Sequence, residues 1–136
     1  MKIEFKKLDH VQICIPVGKE SAARAFYTGI LGMVEIPKPE QLLSNGGLWY
    51  RVAGIQLHIG VETNTGKSKR HPAFEVNHLN DIRSFLEHSG VVVNDEIQID
   101  GLTRFSFKDP FDNRIELLEY NEDRCGDLSD FDMATP

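Results

Sequence analysis

Residues 55–61, Ile55-Gln56-Leu57-His58-Ile59-Gly60-Val61, alternate apolar side chains with polar or absent ones at every position. Successive side chains on a strand point to opposite faces, so the stretch reads as a strand. Ile55, Leu57, Ile59 and Val61 form a wholly apolar face, and Gln56, His58, Gly60 and Glu62 the opposite one. Outward toward the N-terminus, residues 48–53 read as the preceding strand, with a turn at Gly54. Residues 34–36 read as a further strand, and Pro37 and Pro39 fall in a connector, where a missing backbone donor does no harm. Residues 20–31 read as a helix with Ala23, Phe26, Tyr27 and Ile30 as its apolar positions, stopped by Gly32. With residues 8–15 as the first strand, the order is β-α-β-β-β.

Outward toward the C-terminus, the same sequence of elements recurs. Residues 71–76 read as a strand and residues 79–88 as a helix with Ile82, Phe85 and Leu86 on one face, ended by Gly90. Residues 91–93 begin the next strand and residues 103–108 form another. Asp109-Pro110-Phe111-Asp112-Asn113 makes a turn, and residues 114–120 form the last strand. His10 and His71 lie 61 positions apart, Arg24 and Arg83 59, and Gln56 and Glu116 60. Three landmarks within two positions of one spacing, on matching elements, point to an internal duplication. The expected fold is therefore α+β, two βαβββ modules forming one curved mixed sheet around a cleft. Module one spans about 7–62, a linker 63–70, and module two about 71–121, within a single domain of 1–136.

Parity sorts the chemistry. His10, Gln12 and Cys14 share a face opposite Val11, Ile13 and Ile15, and Glu116, Leu118 and Tyr120 oppose Ile115 and Leu117. If each helix covers the apolar face of its module, then His10, Gln56 or His58, His71 and Glu116 face the cleft. Two imidazoles with one carboxylate make an open site for a divalent first-row ion, Zn, Ni, Co, Mn or Fe(II). His78 and His88 gain no support from the repeat and read as surface residues. Trp49, Arg51, Arg104 and Phe107 lie on the strands before the two closing ones and are the substrate-facing candidates. A planar guanidinium fork would suit an anionic substrate. Parity leaves a solvent-facing setting open for both arginines, and Phe105 and Phe107 are residue types commoner in a core.

The remaining composition narrows the class. No apolar run reaches the roughly 18 residues of a membrane span. Residues 1–7 lack the apolar core of a signal segment, so a cytoplasmic location is expected. Cys14, in an apolar strand, and Cys125, in a polar tail, are expected to be free thiols. Of the formal charge of −6, the segment from Glu122 to Pro136 carries −4, which marks it as a loose solvated arm. The short basic cluster Lys67-Ser68-Lys69-Arg70 forms no stripe, so a nucleic-acid partner is not expected.

Over residues 7–121 the chain resembles the vicinal oxygen chelate superfamily, which includes glyoxalase I, ring-cleaving dioxygenases, fosfomycin-resistance thiol transferases and bleomycin-resistance proteins. The resemblance is carried by Leu8-Asp9-His10-Val11, by Ala25-Phe26-Tyr27 through Leu31-Gly32-Met33, and by His71-Pro72-Ala73-Phe74. Asp109-Pro110 and Asn113-Arg114-Ile115-Glu116-Leu117 complete it. It implies metal ligands at His10, His71 and Glu116. It also implies a fourth, a carboxylate in glyoxalase I, at the position where Gln56 stands. Gln56 offers a neutral oxygen but is a poor base, and His58 on the same face is the alternative fourth contact. Glu116 and His58 are the candidate catalytic bases for removing a proton α to a carbonyl. The resemblance implies a small-molecule substrate held through adjacent oxygens, and a homodimer in which modules of different chains can share a site. Three activities stay open: a metal-dependent lyase or isomerase of glyoxalase type, an Fe(II)-dependent dioxygenase, and a metal-free binding protein of the resistance kind.

Overall fold

A computed structural model describes residues 1–63 and 68–121. Two sheets organise them. Strands β1 (His10–Ile15), β2 (Val34–Ile36), β3 (Leu48–Val52) and β4 (Ile55–Val61) form one, in the order β1-β4-β3-β2. Strands β5 (Ala73–Glu75), β6 (Val93–Asp95), β7 (Leu102–Lys108) and β8 (Arg114–Tyr120) form the other, in the order β5-β8-β7-β6. In each sheet the first strand pairs parallel with the fourth, and the other neighbours pair antiparallel. Helix α1 (Glu20–Arg24) and helix α2 (Leu79–His88) follow the first strand of their sheets. The expected α+β fold of two βαβββ modules is what the chain forms, with one topology used twice.

The chain divides into two compact units, Met1–Ser68 with Asp109–Asn113, and Lys69–Lys108 with the chain from Arg114 onward. The boundary after Ser68 falls inside the expected linker. The expected acidic arm, Cys125 within it, lies outside the described residues.

In the first unit the apolar face of the sheet supplies Ile13, Ile15, Leu48, Tyr50, Leu57 and Ile59 to the core, and the helix supplies Ala23, Phe26 and Tyr27. The helix is not α throughout. From Ala25 to Ile30 it widens into a π turn, with the Leu31 amide bonded to the Phe26 carbonyl. Such a turn takes one extra residue and often occurs where side chains must be re-aimed. Here the neighbours Phe26 and Tyr27 are both buried. Gly32 then ends the helix at a φ of 69°, a left-handed value that costs glycine nothing. The connector after Pro37 is more ordered than its prolines suggest, with Glu40–Asn45 forming a 3-10 helix.

The turn between β7 and β8 belongs to the first unit. Asp109 Oδ1 accepts from the amides of Phe111 and Asn113, Tyr27 donates its hydroxyl to Asp109 Oδ2, and Asn113 Nδ2 donates to the Cys14 carbonyl. In the second unit Leu79, Leu86, Phe105, Phe107, Ile115 and Leu117 make the core. Phe85, expected on the buried face of α2, is 54% exposed. The stripe runs through positions 79, 82 and 86, and position 85 falls at its edge. No side chain at the helix N-cap satisfies the first amides; Glu119 of β8 accepts from His78 N and Leu79 N instead.

Candidate functional site

Strand register brings the polar residues of the first unit together. His10 lies opposite Gln56 across the β1–β4 ladder and Gln12 opposite His58; across β4–β3, His58 faces Trp49 and Gln56 faces Arg51. All six share the face turned away from the core, as parity predicts. Three of their rings form a column: His58 stacks on Trp49 at 3.8 Å between centroids and on His10 at 4.0 Å. His58 is buried, and its Nε2 donates to Gln56 Oε1 at 2.9 Å. Burial, and then the neighbouring His10, lower the His58 pKa below its ordinary value, so the ring is neutral at pH 7.

A cavity of about 830 Å³ opens on this face, bordered by His10, Gln12, Lys38, Trp49, Gln56 and His58 among others. Arg51 borders a separate hollow of about 230 Å³ with Lys7, Asp9 and Gln56. Trp49 and Arg51 thus share a face but not a cavity. Lys38, whose ammonium donates to the Gly46 carbonyl, has no counterpart among the sequence candidates. It sits in the Pro37–Pro39 connector, where no periodicity assigns a face.

The second unit carries the carboxylate. Glu116 lies opposite Ala73 on one side and Ser106 on the other, and its side chain is 7% exposed. Arg104 Nη1 donates to Glu116 Oε1 at 2.8 Å, and Arg104 Nε donates to the Ile97 carbonyl. The same Oε1 lies 3.8 Å from His71 Nε2 and 3.9 Å from Arg114 Nη2. Arg114 is committed to Glu96 at 2.8 Å, and Ser106 also donates to Glu96. The Ser106 bond and then Arg114 hold the Glu96 carboxyl below the usual carboxylate range.

Two expectations need correction. Phe107, a substrate-facing candidate, is fully buried and shares its face with Phe105, opposite to the one bearing Arg104 and Ser106. Alternation along β7 fixes this: odd positions enter the core and even positions carry the polar groups. Nor do His10 and His71 occupy equivalent strand positions. His10 pairs with Gln56, whereas Glu116 pairs with Ala73, so Ala73 is the counterpart of His10 by register. The two ladders open alike, the Pro72 carbonyl accepting from Glu116 N as the Asp9 carbonyl accepts from Gln56 N, which makes Pro72 the counterpart of Asp9. His71 lies two residues before Ala73 yet still within 3.8 Å of Glu116.

Whether these residues suit a metal turns on the nitrogens they leave available. His10 Nδ1 bonds Asp9 Oδ2 at 2.9 Å, and His71 Nδ1 bonds the Lys69 carbonyl at 3.0 Å. A carboxylate and a carbonyl can only accept, so each Nδ1 carries a proton, and Nε2 is the nitrogen through which either ring could bind a metal. Metal-binding histidines are oriented in this way. The bond alone marks nothing, since His88 makes the same one to the Ser84 carbonyl on α2. What distinguishes His71 is the buried carboxylate facing its other nitrogen. Within each unit, among the described residues, no three His, Cys, Asp or Glu side chains converge on one point. The donor chemistry of each unit, taken by itself, is of the kind a first-row ion accepts.

The comparisons bear on the fold and the family. A crystal structure of a Bacillus anthracis protein assigned to the glyoxalase family is 43% identical, with a TM-score of 0.84 over 89% of this chain and 100% of that one. A glyoxalase family protein from Enterococcus faecalis is 24% identical, with a TM-score of 0.67 over 85% and 98%. The genomically encoded fosfomycin resistance protein FosX from Listeria monocytogenes, 16% identical, shares the fold with a TM-score of 0.69 over 88% and 98%. No curated protein matches the chain. Residues 7–117 match the family described as Glyoxalase/Bleomycin resistance protein/Dioxygenase, which takes in metalloenzymes and resistance proteins alike. The chain belongs to the Glyoxalase/Bleomycin resistance protein/Dioxygenase superfamily.

Proposed function

We propose that the chain is a metal-dependent lyase or isomerase of glyoxalase type, acting on a small substrate that chelates through adjacent oxygens. His10, His71 and Glu116 hold one divalent first-row ion, Zn, Ni, Co, Mn or Fe(II), with Gln56 beside it. The observation that carries this reading is the buried Glu116 carboxylate 3.8 Å from His71 Nε2, the nitrogen left over once Nδ1 is bonded to the Lys69 carbonyl. Bound there, the ion would supply Lewis-acid stabilisation of charge developing on the substrate oxygens.

The chain's own residues supply the rest. His58 holds the Gln56 amide in place through its Nε2–H and, being neutral, has a second nitrogen able to take a proton. Glu116 is the other candidate base. Trp49 and Lys38 border the cavity beside His58, and Arg51, in the neighbouring hollow, is the guanidinium available to an anionic group, whereas Arg104 is engaged by Glu116. Metal analysis of protein purified without chelators, followed by assays with hemithioacetals of α-keto aldehydes and with catechols in air, tests the reading. Turnover of the former supports it. Oxygen uptake with catechols that depends on Fe(II) assigns a dioxygenase instead, and absence of stoichiometric metal overturns both.

One observation favours a second reading, a metal-free binding protein. Glu116 is already satisfied by Arg104 at 2.8 Å, so the carboxylate has a partner without an ion. Ligand capture in the cavity that is unchanged by a chelator would establish it.

A further inference from the structure

We infer that Arg104 is a built-in competitor for the metal, occupying Glu116 and thereby setting how tightly the site takes a cation. This rests on the reading of Glu116 as a ligand. The contact is short, 2.8 Å from Arg104 Nη1 to Glu116 Oε1, and partly shielded from water, with side chains 18% and 7% exposed. Screening by solvent and salt is weaker there than at an open surface. The guanidinium cannot shed its charge to make room, because arginine is not deprotonated in proteins. It is also held in place from behind, since Arg104 Nε donates to the Ile97 carbonyl at 3.1 Å.

Arg114 does not play the same part. It lies 3.9 Å from that oxygen but is bonded to Glu96, which takes up its charge. Among the described residues Arg104 bonds no second carboxylate, acting on Glu96 only through its charge; its other bond goes to the neutral Ile97 carbonyl. An ion reaching Glu116 must therefore bind a carboxylate that already carries a fixed positive charge on Oε1, either beside that charge or in its place. The register explains the placement: Arg104 pairs with Leu118 and Ser106 with Glu116, so Arg104 stands diagonally next to Glu116 on one face. The pairing is part of the sheet rather than an accident of a loop.

The test is zinc titration by calorimetry of metal-stripped wild type, Arg104→Gln and Arg104→Lys, with thermal melts to establish folding. Arg104→Gln removes the charge and should bind zinc at least about tenfold more tightly, about 1.4 kcal/mol. Arg104→Lys keeps a charge but loses the planar fork, and its affinity should fall between the two. If Arg104→Gln does not fold, Arg104→Lys decides, and an affinity no tighter than wild type overturns the inference. Wild-type zinc binding that both folded variants leave unchanged or weaken also overturns it, while the metal reading stands. Failure of all three proteins to bind zinc sinks the metal reading itself, and the inference with it.

Discussion

Tyr27 and Asp109, 82 residues apart in sequence, are joined by a buried hydrogen bond of 2.7 Å from the phenol to the carboxylate. The bond ties the helix of the first module to the turn between β7 and β8, and Asn113 Nδ2 supports the same carboxylate oxygen. Tyr27→Phe removes the donor and leaves Asp109 Oδ2 with one partner fewer. The expected loss is about 1–2 kcal/mol in a urea unfolding experiment. The pH dependence follows from the phenol. Burial and then the charge of Asp109 raise the Tyr27 pKa well above its ordinary value. Stability from a raised pKa is fully present below the unfolded value of about 10 and is lost as pH rises beyond it. Wild type should therefore lose stability above that pH more steeply than Tyr27→Phe, and parallel curves would contradict the account.

Phe107 separates core from site. As a fully buried ring beneath β7, Phe107→Ala should cost about 3–5 kcal/mol, the usual range for truncating a core aromatic. Phe107→Leu should cost less and leave zinc affinity unchanged. Arg51→Ala, at an exposed position, should leave the melting temperature nearly unmoved. A strong ligand-affinity effect of Phe107→Leu without loss of stability would return Phe107 to the cavity.

Much of this could be read from the sequence because strand alternation is a strict rule. The bounds of β4, α2 and β8 follow from apolar periodicity and coincide with Ile55–Val61, Leu79–His88 and Arg114–Tyr120. Parity alone put His10, Gln56 and His58 on one face. What escaped needed pairing register or local geometry. The Arg104–Glu116 bond depends on which residue of β7 meets which of β8, set by the turn at Asp109–Asn113. His71 looked equivalent to His10 because spacing counts residues and cannot see the register, which sets Ala73 against Glu116 as it sets His10 against Gln56. Lys38 and the 3-10 helix at Glu40–Asn45 lie in a connector with no period to read.

Gln56 and His58 can be ranked by titration. The structure has His58 donating to Gln56, so on the proposed reading His58 would influence a metal through Gln56 rather than beside it. Gln56→Ala should weaken zinc binding at least as much as His58→Ala, whose loss of orientation should cost about tenfold. If the His58 change alone weakens binding, the ranking is wrong.

Association is expected as well. Each sheet ends in two edge strands, β1 and β2 in one and β5 and β6 in the other, and such edges are commonly covered by a partner. Sedimentation equilibrium at micromolar concentration should give twice the chain mass of 15.4 kDa. A single-chain mass would contradict the homodimer.

The central claim, that Glu116 with His10 and His71 holds one divalent ion, is tested most directly by calorimetric zinc titration of three metal-stripped proteins: wild type, Glu116→Ala and His88→Ala. His88 makes the same Nδ1 bond to a carbonyl as His71 but stands on α2 and, among the described residues, forms no ion pair with a carboxylate, so it controls for histidine in general. The account predicts one zinc per chain in wild type and in His88→Ala, and none in Glu116→Ala that still melts cooperatively. Equal zinc binding by folded Glu116→Ala and wild type would contradict it.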